Sequence, residues 1–227
     1  MTYWGTPVKQ PPEILALHNR FLGKRLFVFG TGPSLRSLWH PLLRRMGKEF
    51  TFATNDLLRW EGIAFTPTFH GLSEQELMPK LDRFVIPERK VKWRFACHQA
   101  EVRHADWQWV AKAPDDVQID THGMMGLGDD LPPLPTGRAT PLTLGVQLGA
   151  WMGFDPIYLL GCDNTRTGSV LDPDKQRDRV DLAPVVRSAQ RCRQDMDKVG
   201  RSLIDCTENG GLNSVLPYQP LEEVLAT

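Results

Sequence analysis

The chain lacks several things that would narrow its role at once. It has no excess of either charge: 27 basic residues balance 27 acidic ones, for a formal net charge of zero. General affinity for a nucleic-acid backbone needs a basic surplus, so that class of partner is excluded as the expectation. Cysteine is scarce, with Cys97, Cys162, Cys192 and Cys206 and no C-x-x-C pair. A disulfide framework does not suit a core-forming chain of this size, and reduced thiols are expected. No apolar run approaches the roughly 20 residues of a membrane span. The start, Met1-Thr2-Tyr3-Trp4, shows no basic segment followed by an apolar stretch. A cytoplasmic location is therefore expected. Histidine is also absent from every position after His122.

What is present is a packed core's worth of apolar residues, 41% of 227, arranged as alternating strand and helix signals. Arg25–Phe29 is a near-continuous apolar run that stops at glycine, as a buried parallel strand does. Phe50–Ala53, Thr66–His70, Arg83–Ile86, Trp93–Cys97, Ile157–Leu160 and Leu203–Cys206 are further strand candidates. Helical spacing is read over Ser34–Arg45, Leu57–Trp60, Thr140–Met152, Asp181–Val199 and Leu221–Leu225. Trp107 and Trp109 alternate and are read as packing residues. The pattern predicts an α/β chain, a Rossmann-like three-layer α/β/α sandwich with a mostly parallel sheet. One domain is expected over 1–227, with a leader at 1–22. Lids or mobile loops are expected at 112–138, rich in Gly, Pro and Asp, and at 164–180.

In such sheets ligands bind beyond the carboxyl ends of the strands, so the residues after each strand carry the functional reading. Gly30-Thr31-Gly32-Pro33-Ser34 follows the first strand. Two glycines let the backbone approach a ligand, and a following helix would turn free N–H groups toward a phosphate. The alternative is a tight turn with no ligand; neither the third glycine of the dinucleotide fingerprint nor a Walker pattern is present. Asn55, after the second strand, can bond a base or ribose, or cap the next helix. Arg138 in Gly137-Arg138-Ala139-Thr140-Pro141 can pair with phosphate, or stand as a solvated charge. Asp163 in Gly161-Cys162-Asp163-Asn164 can bind a ribose hydroxyl, hold a metal through water, act as a base, or cap a turn. His70 and His122 are the better histidine candidates for proton transfer. His98 and His104 lie near Cys97, but at no usual zinc spacing, and no metal site is expected.

Several of these segments together resemble a known group. Phe27–Leu35 resembles the opening strand-GxGPSL of bacterial sialyltransferases of glycosyltransferase family 42, and of the related motility-accessory proteins linked to flagellin glycosylation. Thr54-Asn55 resembles their asparagine after the second strand. Arg138-Ala139-Thr140-Pro141, a helix, and then Met152–Asp163 resemble their R-x-T-S-G, helix and "GYKEIYLxGxD" run. Asp205–Gly211 with Leu221–Leu225 looks like their closing "NATxGG…LEEVL". Archaeal hydroxymethylpterin pyrophosphokinases share the general fold and the glycine turn.

The resemblance implies a CMP-sugar type of donor held by Gly30, Thr31, Gly32, Ser34 and Asn55, with Arg138, Thr140 and Asp163 closing the site. It implies an enzyme that transfers the sugar to an acceptor by direct displacement. Three departures stand out: Thr31 replaces an asparagine, Pro141-Leu142 replaces Ser-Gly, and the late general-base histidine has no counterpart. Proton transfer then falls to His122 or to an acidic residue such as Asp163, or the donor differs. The alternatives are pyrophosphokinase-like phosphoryl transfer from ATP with Mg²⁺ near Asp163, and a nucleotide-binding protein of the same fold without catalysis.

Overall fold

Short apolar runs that alternate between two faces form the centre of this chain. The structure is a computed structural model and describes residues 12–38, 40–72, 75–98, 104–111, 141–164, 168–174 and 183–226. The strands are β1 (Leu26–Phe29), β2 (Phe50–Thr54), β3 (Phe69–Leu72), β4 (Trp93–His98), β5 (Gln108–Ala111), β6 (Ile157–Leu160) and β7 (Leu203–Asp205). They form one sheet in the order β5-β4-β3-β2-β1-β6-β7. Every pairing is parallel.

Parallel strands need covering on both faces, and the side chains of β1 divide accordingly. Leu26 and Val28 join a core with Phe52, Phe69 and Phe95. Over that face lie α1 (Pro12–Leu15), α3 (Pro141–Trp151) and α4 (Ala183–Lys198). Phe27 and Phe29 point the other way, into a core completed by α2 (His40–Arg45) and α5 (Leu221–Ala226). The fold is thus the expected α/β/α sandwich. Helix α3 lies close on the sheet because its glycines leave room. A Cβ on Gly145 would sit 2.8 Å from Val28 Cγ1, and one on Gly149 would sit 2.6 Å from Leu26 Cδ2. Residues 12–22 pack onto the same face: Ile14 and Leu17 are buried. The Trp151 indole N–H donates to the Ile14 carbonyl at 3.1 Å.

Three expectations need correction. The helix read over Ser34–Arg45 is a 3-10 turn, Pro33–Ser37, followed separately by α2. Leu38 turns extended (φ −66°, ψ 128°) between them. Pro41 lies in the first turn of α2, and a proline there disfavours a helix continuing into it from before. The apolar run Arg83–Ile86 is not a strand. Its Phe84 closes the 3-10 segment Gln75–Phe84, buried against Leu72 and Ala96. The third strand runs over Phe69–Leu72 rather than Thr66–His70. The Trp107–Trp109 region contributes an additional strand, β5, at the sheet edge.

Candidate functional site

The sheet order places the functional residues. From β1 the chain builds outward through β2 to β5, then crosses over by α3 to β6, on the other side of β1. Strand order therefore reverses between β1 and β6. Beyond the carboxyl ends of those two strands the connecting loops diverge, which is where this class of sheet holds its ligands.

The two loops are fastened together. The Gly30 N–H donates to the Leu160 carbonyl and the Gly32 N–H to the Gly161 carbonyl, both at 2.8 Å. A Cβ on Gly30 would overlap the Gly161 carbonyl oxygen, and one on Gly32 would overlap Asp163 Oδ2. Gly32 itself has ordinary extended dihedrals, φ −68° and ψ 150°. These glycines are thus required by the close approach of the neighbouring loop, and the room opposite Gly32 is taken by Asp163.

Asp163 occupies the start of the 3-10 turn. Its Oδ1 accepts the Ser34 backbone N–H at 3.0 Å, and its Oδ2 accepts the Ser34 hydroxyl at 2.7 Å. The carboxylate thereby stands where the sequence suggests a ligand phosphate, satisfying donors that the turn leaves open. Its own backbone carbonyl accepts the Gly211 N–H at 2.7 Å, tying in the loop after β7. Thr31 is held from the other side. Its carbonyl accepts the Val170 N–H at 2.8 Å. The Val170 carbonyl in turn accepts from Arg36 Nε at 2.8 Å and Nη2 at 2.5 Å. Residues 168–174, within the stretch expected to be a mobile loop, thus lie strapped across the glycine turn with Val170 fully buried.

Asn55 stands one strand away. Ala53 pairs in register with Phe29, so Asn55 and Thr31 each lie two residues beyond that pair. The Thr54 hydroxyl fixes the level by donating to the Phe29 carbonyl at 2.8 Å. Asn55 itself has φ +46°, a left-handed conformation that asparagine tolerates better than most residues. Its carbonyl accepts the Nε2–H of His70 at 2.8 Å. His70 is completely buried on β3, and that burial, aided by the Arg94 charge, pushes its pKa down to about 4. The backbone hydrogen bond opposes the shift. His70 is therefore a neutral, enclosed ring rather than an open general base.

A cleft of about 380 Å³ opens beside the glycine turn, over the ends of β6 and β7. Ser34, Gly161, Thr207, Glu208, Tyr218 and Glu222 line it. Thr207 is a structural link as well: its Oγ1 accepts the Cys162 N–H at 3.1 Å. Its own N–H donates to Asp205 Oδ1 at 2.9 Å. Burial, with a contribution from the Asp163 charge, raises the Asp205 carboxyl to about 6 against the pull of Thr207. Thr207 and Glu208 follow a strand end, the position at which the sequence reading sought site residues, but were not singled out as such.

Of the expected site residues, the structure brings Gly30, Thr31, Gly32, Ser34 and Asp163 into one constellation, with Asn55 on the adjoining strand end. His122, Arg138 and Thr140 lie outside the described residues; α3 starts at Pro141, directly after Thr140. His18 and His104 have local roles. His18 stacks on Trp151 with centroids 4.0 Å apart, and His104 pairs with Asp82 at 2.8 Å. Among the described residues, no cluster of three His, Cys, Asp or Glu side chains is arranged to hold a metal. No described helix is long and apolar enough to cross a membrane.

No family model matches the sequence, and no curated protein matches it. The fold does match solved structures. It is similar to the sialyltransferase CstII from Campylobacter jejuni in complex with the substrate analogue cytidine-5'-monophosphate. That match has a TM-score of 0.56 and 12% identity, over 88% of this chain and 86% of the other. A structure of the same sialyltransferase with a trisaccharide acceptor and CMP matches with TM-score 0.56 and 12% identity, over 87% and 86%. A third, with CMP-3FNeuAc, matches with TM-score 0.55 and 13% identity, over 87% of each chain. The architecture is similar to that of these sialyltransferase structures, in line with the sequence resemblance.

Proposed function

We propose that the chain binds a CMP-type nucleotide sugar beyond the carboxyl ends of β1, β2 and β6 and transfers the sugar to an acceptor hydroxyl. One observation carries this reading. The strand-order reversal gathers the Gly30–Ser34 turn and Asp163, with Asn55 on the adjoining strand end, at the carboxyl end of the sheet, beside a cleft, in an architecture similar to that of CMP-bound sialyltransferase structures.

The reaction is a direct displacement. The acceptor oxygen forms a bond to the anomeric carbon as the bond from that carbon to the phosphate oxygen breaks. The nucleotide leaves with the bonding electrons, and the acceptor proton passes to a base. Arg138 and Thr140, which precede α3 in the sequence, are the residues for the leaving phosphate, because a helix N-terminus and a guanidinium both favour developing negative charge. Asp163 has both carboxylate oxygens engaged by Ser34, so its part is to hold the glycine turn in shape. The base is then His122 or an acid at the cleft, whose lining holds two exposed acids, Glu208 and Glu222.

The test is release of CMP from a CMP-sugar, with and without an acceptor glycan. Turnover in the wild type that falls at least a hundredfold in Arg138→Ala and in either His122→Ala or Glu208→Gln supports the reading. Binding of CMP without turnover assigns a non-catalytic nucleotide-binding role. Turnover of ATP with Mg²⁺ in place of CMP-sugar assigns phosphoryl transfer.

A further inference from the structure

Asn55 holds an uncommon backbone conformation, φ +46°. A polar side chain lowers the cost of left-handed backbone without abolishing it. Something must hold the residue there. Its carbonyl oxygen is fixed by the Nε2–H of His70 at 2.8 Å. A carbonyl only accepts, so Nε2 carries the hydrogen of the neutral ring.

His70 is an unexpected residue to find at this place. It is fully enclosed, between the rings of Trp107, 5.2 Å away, and Phe84, 6.1 Å away. Its register partners on the flanking strands are Ala53 and Arg94. The other ring nitrogen, Nδ1, is buried and has no hydrogen-bond partner. A buried polar atom without a partner destabilises the fold. An apolar ring of the same size would remove that penalty while leaving the Asn55 carbonyl without its donor. The histidine thus contributes one thing that such a ring cannot, the hydrogen bond to Asn55.

We propose that His70 is a positioning residue: through its Nε2–H it fixes the left-handed backbone of Asn55 and so aims the Asn55 amide at the nucleotide. This rests on the nucleotide-binding reading above. His70 touches no substrate and moves no proton.

The experiment compares two variants of the full chain by calorimetric titration with CMP. His70→Phe keeps an enclosed ring and removes the donor. His70→Gln places an amide nitrogen near the Nε2 position and restores the donor. The expected result is a loss of about tenfold in CMP affinity for the phenylalanine variant, with the glutamine variant within about threefold of wild type. Nitrogen-15 NMR of the wild type supplies a second measurement that needs no variant to fold. It is expected to show His70 as the Nε2–H tautomer with Nδ1 bare. Equal CMP affinity in the two variants, or an Nδ1–H tautomer, overturns the role of His70 while leaving the nucleotide reading standing. A wild type that does not bind CMP overturns the nucleotide reading, and with it what His70 is said to serve.

Discussion

Both carboxylate oxygens of Asp163 are taken by a single residue, Ser34, one by its backbone N–H at 3.0 Å and the other by its hydroxyl at 2.7 Å. The partners are 129 positions apart in sequence, yet they join the loops after β1 and β6 at the point where strand order reverses. Hydrogen bonds to a charged group contribute about 1.5–3 kcal/mol each when partly shielded. Asp163→Ala, which removes both bonds, is therefore expected to destabilise the fold by about 3–6 kcal/mol, and Ser34→Ala, which keeps the backbone bond, by about 1.5–3 kcal/mol. Urea unfolding of both variants and of the double variant checks this. Strictly additive losses would mean that the two residues do not act through each other.

The glycines of the turn differ in what blocks a side chain. A Cβ on Gly32 meets chiefly the Asp163 carboxylate, a side chain, whereas one on Gly30 meets the Gly161 backbone. Gly32→Ala is expected to lose at least about 2 kcal/mol and to displace Asp163; Gly30→Ala is expected to lose more. Adding Asp163→Ala should recover part of the Gly32→Ala loss, although the Gly161 carbonyl still lies 2.5 Å from that Cβ. It should recover none of the Gly30→Ala loss. Melting temperatures of the four proteins decide it, and equal rescue at both positions would contradict the packing account.

Much of this architecture is legible in the sequence, and the reasons it is not wholly so are specific. Leu26–Phe29 and Ile157–Leu160 read as strands because every residue is apolar and each run ends at glycine, which is what a strand buried on both faces requires. Asn55 and Asp163 could be picked out because they follow strands. The break before α2 was signalled by Pro41, which the leucine spacing of 35, 38, 42 and 43 outweighed. Phe84-Val85-Ile86 is too short for its period to separate strand from helix. Two facts could not be read at all. That Asp163 is spent on Ser34, and that His70 reaches the Asn55 carbonyl, are consequences of which strands become neighbours.

Two buried groups give opposite pH dependences. The His70 pKa is lowered from 6.5 to about 4, so the unfolded chain binds its proton first. The stability His70 confers is complete above pH 6.5 and lost as pH falls toward 4. Asp205 is raised from 3.8 to about 6, so its contribution is complete below pH 3.8 and lost as pH rises toward 6. Each amounts to about 3 kcal/mol over its window, and the two oppose each other in mild acid. Relative to wild type, His70→Gln should lose stability as pH rises from 4 to 6, and Asp205→Asn should lose it as pH falls across the same range. Thermal unfolding at several pH values checks this, and curves parallel to wild type would refute it.

The four cysteines are all buried, and no disulfide joins any two of them. Burial, strengthened by nearby carboxylates, pushes the thiols of Cys192 and Cys206 up to about 12 and that of Cys162 well above its usual range. The thiolate is the reactive form. The folded protein should therefore react with a thiol reagent such as DTNB only slowly at pH 8, and release four equivalents promptly in urea. Rapid reaction of one thiol in the folded state would place it at the surface.

Titration calorimetry with CMP, measured beside ATP with Mg²⁺, asks whether a nucleotide binds at the carboxyl end of the sheet that carries the glycine turn, Asn55 and Asp163. Saturable, one-to-one binding of CMP without metal is expected. Asn55→Ala, which loses the amide and strains the left-handed backbone, is expected to weaken that binding by at least about tenfold. Absence of CMP binding, or CMP binding that Asn55→Ala leaves unchanged, would rule out a nucleotide at this place.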